Sequence, residues 1–306
     1  MTTERVLGIT TRIGCRVACS YCPQDKFTRA YRQQSVEPGA RFMLPELFEK
    51  YLATVPTSVK VSFAGHAEPF LNDRCIELVE HAVSKGHSVG INTTLHGMTL
   101  DDVERLAEVS FVNFIIHLPG FIGDEPNEKM IVDESYLAVL DRLLERNIPT
   151  ILRVHGESTH PDAERVIRAN GGEIERCGIR DFVGTVDSKI AERFGKKHVR
   201  VSRRLRGRLE FCSRVYQNLL LPSGDVVLCC QDWQLRHVLG NLGTQSFDEI
   251  ADSEEVKRVF DGFEDESIDT LCRTCEDARE AKSLPVRVLA QILGGKSRGS
   301  IPEWDD

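Results

Sequence analysis

The chain has 306 residues, enough for one large domain or two smaller ones with a substantial core. Its 41% hydrophobic and 28% charged content reads as globular, and a net charge of −8 excludes a nucleic-acid-like basic balance. The longest apolar runs fall far short of the roughly 20 residues that span a bilayer. Met1-Thr2-Thr3-Glu4-Arg5 has no signal-peptide pattern, so the ten cysteines are expected as reduced thiols in the cytoplasm, serving metal rather than disulfides.

In chain order, residues 5–11 read as a strand delivering Cys15-Arg16-Val17-Ala18-Cys19-Ser20-Tyr21-Cys22. Three thiols on one short loop hold three corners of a metal site, whereas zinc and iron–sulfur sites normally close with four ligands. This suggests a cluster with one free position; half of a zinc site is the alternative. Residues 24–41, polar and containing Pro38 and Gly39, read as a long loop. Residues 44–54 have helical spacing, and 59–63 form a second strand ending in Gly65-His66-Ala67-Glu68-Pro69. Residues 72–85 form a helix stopped by Gly86, and 87–94 a third strand. Residues 100–109 form a helix with Asp101 and Asp102 in its first turn. A fourth strand at 111–118, a helix at 134–146 and a fifth strand at 149–155 follow. A helix at 161–170 and a sixth strand at 179–186 complete the series.

Strand then helix, repeated about six times, predicts parallel βα units closing into a barrel or partial barrel. Functional loops then sit at the C-terminal ends of the strands. The cysteine loop, the 65–68 turn, Thr93, Thr94, His117 and Arg153 all fall there.

Composition shifts after Val186. Residues 193–208 hold eight Lys or Arg, either a solvated connection or a patch for a phosphate or carboxylate. Residues 219–222 and 226–228 read as a hairpin around Ser223-Gly224-Asp225, and 246–260 as a helix. Cys212 and Cys229 lie on either side of that hairpin, and Cys272-Arg273-Thr274-Cys275 follows. Together they supply four ligands for one closed site, which by spacing alone suits zinc and iron–sulfur equally. Expected boundaries are 1–187 for the barrel, 188–210 for a basic linker, 211–282 for the second cysteine domain and 283–306 for a tail.

Cys15-x3-Cys19-x2-Cys22, with aromatic Tyr21 before the third thiol, resembles the radical S-adenosylmethionine (SAM) superfamily. Gly65-His66-Ala67-Glu68-Pro69 resembles that family's Gly-Gly-Glu-Pro turn, with one residue inserted after the glycine. Cys212, Gly224, Cys229, Cys272 and Cys275 resemble the family's twitch, or short SPASM, extension. Cys230-Gln231-Asp232-Trp233 and Leu239-Gly240-Asn241-Leu242 look like its linker. The further cysteines of a full SPASM are missing, a pattern similar to the 2-deoxy-scyllo-inosamine dehydrogenase group. The resemblance implies an α/β fold: a partial (βα)6 barrel of the radical SAM type, then a small α+β twitch/SPASM-like domain.

It also implies chemistry. Cys15, Cys19 and Cys22 would hold a [4Fe-4S] cluster whose open site takes SAM. Cys212, Cys229, Cys272 and Cys275 would hold one auxiliary [4Fe-4S] cluster with no free position. A flavodoxin- or ferredoxin-type reductant is implied. The expected reaction removes hydrogen from a sugar, aminocyclitol or sugar nucleotide, phosphorylated if the basic segment meets it. The auxiliary cluster then takes an electron, and an alcohol becomes a ketone.

Glu68, with Gly65 and Ala67 of its turn, is expected at the SAM ammonium, and Arg153 at the SAM carboxylate. Tyr21 is expected near the adenine, and Thr93, Thr94 and His117 on the ribose or substrate side. Lys189, Gln231 and Asp232 are expected at the substrate. Each has a plain alternative: Tyr21 shields the cluster, His117 is a hydrogen-bonded barrel-end histidine, and Arg153 pairs with a structural carboxylate. Cys75 and Cys177 read as structural, and Cys230 as inert or a substitute for Cys229. Peptide maturation by thioether or carbon–carbon linkage is a second reading; a first strand starting by about residue 5, with no leader-binding domain ahead of it, weighs against it. Redox-neutral epimerisation or decarboxylation, and a zinc-dependent scaffold, are the others.

Overall fold

Six strands follow one another in the chain and lie in that same order in one sheet. β1 (Val6–Ile9) leads to α1 (Gln24–Gln34) and α2 (Pro45–Leu52). Then come β2 (Lys60–Phe63), α3 (Cys75–Ser84), β3 (Val89–Thr93), α4 (Leu100–Leu106) and β4 (Phe111–Leu118). α5 (Glu134–Glu145), β5 (Ile151–His155), α6 (Pro161–Ala169) and β6 (Ile174–Cys177) complete the series. Each strand runs parallel to the next. The computed structural model describes residues 4–281 except 36, 38, 181 and 196–198. Pro38, Lys196, Lys197 and the expected tail at 283–306 lie outside the described residues.

The second half adds α7 (Ser188–Phe194), β7 (Gln217–Leu220), β8 (Asp225–Val227), β9 (Val238–Asn241), α8 (Phe247–Ala251) and α9 (Glu254–Glu264). β7 pairs parallel with the far edge of β1, and β8 and β9 add antiparallel strands. The sheet therefore has nine strands, in the order β9-β8-β7-β1-β2-β3-β4-β5-β6. Its ends do not meet, so it is a partial barrel of the expected kind with a small α+β module on one edge. No described helix is long and apolar enough to cross a membrane.

Leu7, Ile9, Val61, Phe63, Val89, Ile91, Phe114 and Ile116 are all sealed in the interior. Near-continuous burial is what helix-covered parallel strands require. α3 ends where sequence chemistry places its stop: Gly86 takes φ +87° while His87 N–H reaches Ala82 O at 3.1 Å. α4 begins on a capping box between Thr99 and Asp102.

Three expectations need correction. The expected loop at 24–41 begins as an eleven-residue helix, α1. Phe27, Ala30 and Tyr31 recur at helical spacing and are buried, a narrow apolar stripe that the polar composition conceals. The sixth sheet strand is Ile174–Cys177, not 179–186; Ile179–Arg180 instead pairs with Val199–Arg200 outside the sheet. As an edge strand it carries exposed Glu175 and Arg176, which hide its strand character. The expected helix at 246–260 is two helices, broken where Ser253 Oγ accepts from Val256 N–H at 3.3 Å.

Gly65 packs on the backbone that extends β1. A Cβ there would lie 2.4 Å from Thr10 Cα and 2.6 Å from Thr10 N. Thr10 N–H is itself bound to Leu220 O at 2.9 Å, so it has little room to move. Gly65→Ala is expected to cost about 1–3 kcal/mol, read as a lower urea midpoint. An unchanged midpoint would show that this contact yields freely.

Candidate functional site

A cavity of about 230 Å³ opens at the C-terminal ends of β1 to β5. Cys15, Cys19, Cys22, Tyr21, Gly65, Ala67, Glu68, Thr93, Thr94 and His117 all line it. These residues span four successive strand ends, and the parallel register brings them together. The cysteine loop is stitched to the segment after β4: Ser20 N–H donates to Asn127 O at 2.7 Å, and Lys129 N–H to Val17 O at 2.8 Å. The three thiols are free of disulfides. Burial raises the pKa of each, that of Cys22 to about 12. Bare thiolates are disfavoured here, and bound cationic iron would offset that penalty.

The donor set fits an iron–sulfur cluster: three unbridged thiols on one loop, facing one cavity that also holds a carboxylate and hydroxyls.

Glu68 is buried and tightly held. Its Oε1 accepts from Thr93 Oγ1 (2.6 Å) and Phe70 N–H (3.2 Å). Its Oε2 accepts from Thr94 N–H (2.6 Å) and Thr94 Oγ1 (2.7 Å). Burial pushes its pKa up while these four bonds pull it down. His117 stacks on His155, with centroids 5.3 Å apart and planes within 8°. Burial lowers the His117 pKa to about 3, and His155 and Arg153 act in the same sense. The ring is therefore neutral, and its Nδ1 has no partner among the described residues.

Other expected residues stand elsewhere. Arg153 does not line the cavity; its Nε donates to Glu175 Oε2 at 2.9 Å. Arg153 and His155 share a strand face, but His155 lies about 6.6 Å farther toward the rim. His155 is therefore the residue that lines the cavity. Lys189 is exposed on α7 and lines neither this cavity nor the one beside it. Asp232 is fully buried, and its carboxylate accepts from Arg236 N–H and His237 N–H, each at 2.8 Å. It braces a turn. Gln231 lines a second cavity of about 300 Å³, and Trp233 lines both.

Cys229, Cys272 and Cys275 are buried and Cys212 is half-buried. Burial raises the pKa of all four; Cys230 adds to it at Cys212 and Cys229, Cys272 at Cys229, and Cys212 at Cys272 and Cys275. Asp277 ties this region together. It accepts from Arg180 Nη1 (2.6 Å), Arg200 Nη1 (3.1 Å) and Gln231 Nε2 (3.1 Å), and forms an ion pair with Arg214 Nε at 3.1 Å. Its own N–H points to Cys275 Sγ at 3.4 Å. Cys230 faces Arg214 Nη1 at 3.4 Å.

Sequence reading missed His155, Trp233 and Glu128. Strand alternation from Arg153 would have found His155; Glu128 offers no local signal. Its Oε1 accepts from Tyr21 O–H at 2.9 Å and its Oε2 from Gly120 N–H at 2.7 Å. Burial raises the Glu128 pKa to about 7, against the pull of those bonds and of Arg193. A carboxyl raised on folding contributes stability that is full below its unfolded pKa near 4.3 and is lost as pH rises through 7, on the order of 3 kcal/mol at most. Glu128→Gln is expected to flatten the fall of the urea midpoint across that window. Equal slopes for both proteins would remove Glu128 from the pH dependence.

The sequence profile of the radical SAM superfamily matches residues 9–168, and that of SPASM, an iron–sulfur cluster-binding domain, matches residues 212–276. No curated protein matches the chain. Several solved structures share the fold. BtrN in complex with AdoMet and 2-DOIA has a TM-score of 0.54 at 15% identity, over 90% of this chain and 93% of that one. Streptococcus suis SuiB bound to precursor peptide SuiA has a TM-score of 0.57 at 12% identity, over 89% and 69%. anSMEcpe with bound AdoMet and the Cp18Cys peptide has a TM-score of 0.52 at 14% identity, over 89% and 88%. The superfamily match spans more than half of the 306 residues. The protein thus belongs to the radical SAM superfamily, whose members use a [4Fe-4S] cluster with SAM, and carries a C-terminal SPASM domain for auxiliary iron–sulfur.

Proposed function

We propose that this radical SAM enzyme oxidises an alcohol carbon of a small polar substrate (a sugar, aminocyclitol or sugar nucleotide) to a ketone. One observation carries this reading: three thiols line an open cavity, and a separate set of four thiols, three of them buried, belongs to the second module, with Cys212 ahead of β7 and Cys229 just after β8. When bound, the first cluster with SAM supplies a 5′-deoxyadenosyl radical, and one auxiliary [4Fe-4S] cluster supplies a one-electron acceptor.

The chain's own residues position and exclude. Cys15, Cys19 and Cys22 hold the first cluster; Cys212, Cys229, Cys272 and Cys275 hold the second. Glu68, locked by Thr93 and Thr94, presents a fixed negative edge to the SAM ammonium. Gly65 and Ala67 leave that approach free of bulky side chains. Tyr21, tied to Glu128, forms the wall beside the cluster. The neutral imidazole of His117, with its unpartnered Nδ1 and His155 as its stacked neighbour, accepts a hydroxyl hydrogen bond; too weak a base to keep the proton, it passes it to water at the mouth of the open cavity. The bonds that Asp232 and Arg153 already make leave them bracing roles. A flavodoxin- or ferredoxin-type reductant supplies the starting electron.

Two proteins of similar fold carry bound peptides, which supports peptide cross-linking as the second reading. Reconstituted protein is expected to hold about eight irons, and changing Cys212, Cys229, Cys272 and Cys275 to Ala to leave about four. That variant should still cleave SAM but form no ketone. Incubation with SAM, dithionite and candidate sugars should give a product lighter by two hydrogens. A cross-linked peptide, or an isomer of unchanged mass, would reject oxidation of an alcohol.

A further inference from the structure

We propose that the second cavity is a binding site for the phosphate group of a small hydroxylated molecule. It rests on the proposed oxidation only in taking that molecule to be the substrate. The cavity, about 300 Å³, is at the small end of ligand pockets. Arg203, Arg204 and Arg236 line it with Gln231, Trp233 and Thr274, and no carboxylate lines it among the described residues. Asp269 meets Arg236 at 3.0 Å and Arg204 at 4.0 Å from outside the lining. Arg203 has no ion-pair partner among the described residues. Three guanidiniums against one carboxylate leave a surplus of two positive charges. A phosphate monoester carries about −1.5 to −2 at pH 7 and suits planar guanidinium forks.

The floor is polar and unpaired. Gln231 is 1% exposed and its amide nitrogen is spent on Asp277, so its buried oxygen has no donor among the described residues. Trp233 is 7% exposed, and its indole N–H likewise has no partner there. An unpartnered acceptor and an unpartnered donor on two residues lining one cavity are what a ligand hydroxyl satisfies.

The location fits a substrate. Trp233 is a shared wall, its ring centroid 4.0 Å from that of His66 of the first cavity with the planes tilted by 35°. Leu271 and Thr274, which flank the auxiliary Cys272, line the other side. A molecule seated here lies across Trp233 from the first cavity and against residues adjacent to Cys272. The basic segment does not act as one patch: Arg193, Arg200 and Arg208 are paired with Glu125, Asp277 and Glu264. The site takes Arg203 and Arg204 from that segment and adds Arg236 from a turn 32 residues after Arg204.

Calorimetric titration of the anaerobically reconstituted holoenzyme tests this with glucose 6-phosphate, inorganic phosphate and glucose as probes. Glucose 6-phosphate is expected to bind more tightly than either of the other two. Arg203→Ala should weaken it by about tenfold or more, the loss of a charged hydrogen bond. Arg206→Ala, exposed in the same segment but outside the cavity, should leave it unchanged. Substrate-free release of 5′-deoxyadenosine should stay at the wild-type rate in both variants, showing intact folds. Equal binding of glucose and glucose 6-phosphate overturns the proposal, as does an equal loss in Arg206→Ala. Inorganic phosphate binding as tightly as the ester overturns the assignment to a hydroxylated molecule. A holoenzyme that binds the ester as expected yet gives no product lighter by two hydrogens from any of the candidate sugars or their phosphates defeats the oxidation and keeps the site.

Discussion

The parallel pairing of β1 with β7 sets everything else in the molecule. Val6 to Ile9 stand opposite Gln217 to Leu220, and Thr10 N–H extends the ladder to Leu220 O. β1 delivers the first cysteine loop, and β7 opens the hairpin that leads to Cys229. The register of one ladder therefore fixes where the two thiol sets stand. Gly8 holds that register: a Cβ there would lie 2.3 Å from Leu219 Cδ2, so the leucine occupies the space the glycine leaves. A slip by one residue would turn every side chain of β7 to the other face and exchange Leu219 and Leu220, which are buried in two different apolar clusters.

Electrostatics take over where the sheet ends. The auxiliary region has short turns and few backbone ladders, so charged side chains tie it down. Asp277 gathers Arg180, Arg200 and Arg214 around one nearly buried carboxylate. Burial of such a charge is tolerated because three guanidiniums repay its lost hydration. The same residue joins the strand that leaves the barrel to the loop that closes the second thiol set. The tilted ring contact of Trp233 with His66 belongs to the wall that the two cavities share.

The first cavity shows the same economy in its polar groups. Glu68 is fixed by four donors from β3 and its own turn, and Tyr21 and Glu128 fix each other beside the cysteine loop. Such bonds hold side chains in place before any ligand arrives, which a radical site needs to keep a reactive species from water and wrong partners.

The kind of chemistry was legible because its signal is local. Thiol spacing on one loop, a Gly-to-Glu turn after a strand and a distant Cys-x-x-Cys are short-range patterns. So is the alternation of strands and helices, since each element must bury its own apolar stripe. What failed was also local in cause: α1 hides under polar residues, and β6 hides under the exposed Glu175 and Arg176 of an edge strand. Tertiary structure alone decided which side chains meet. It placed His155 at the cavity in place of Arg153, spent Asp232 on a turn, left Lys189 outside and converged Arg203, Arg204 and Arg236 on one pocket. These outcomes depend on strand register and long-range pairing, and a single chain position carries no record of the neighbour that folding will bring to it.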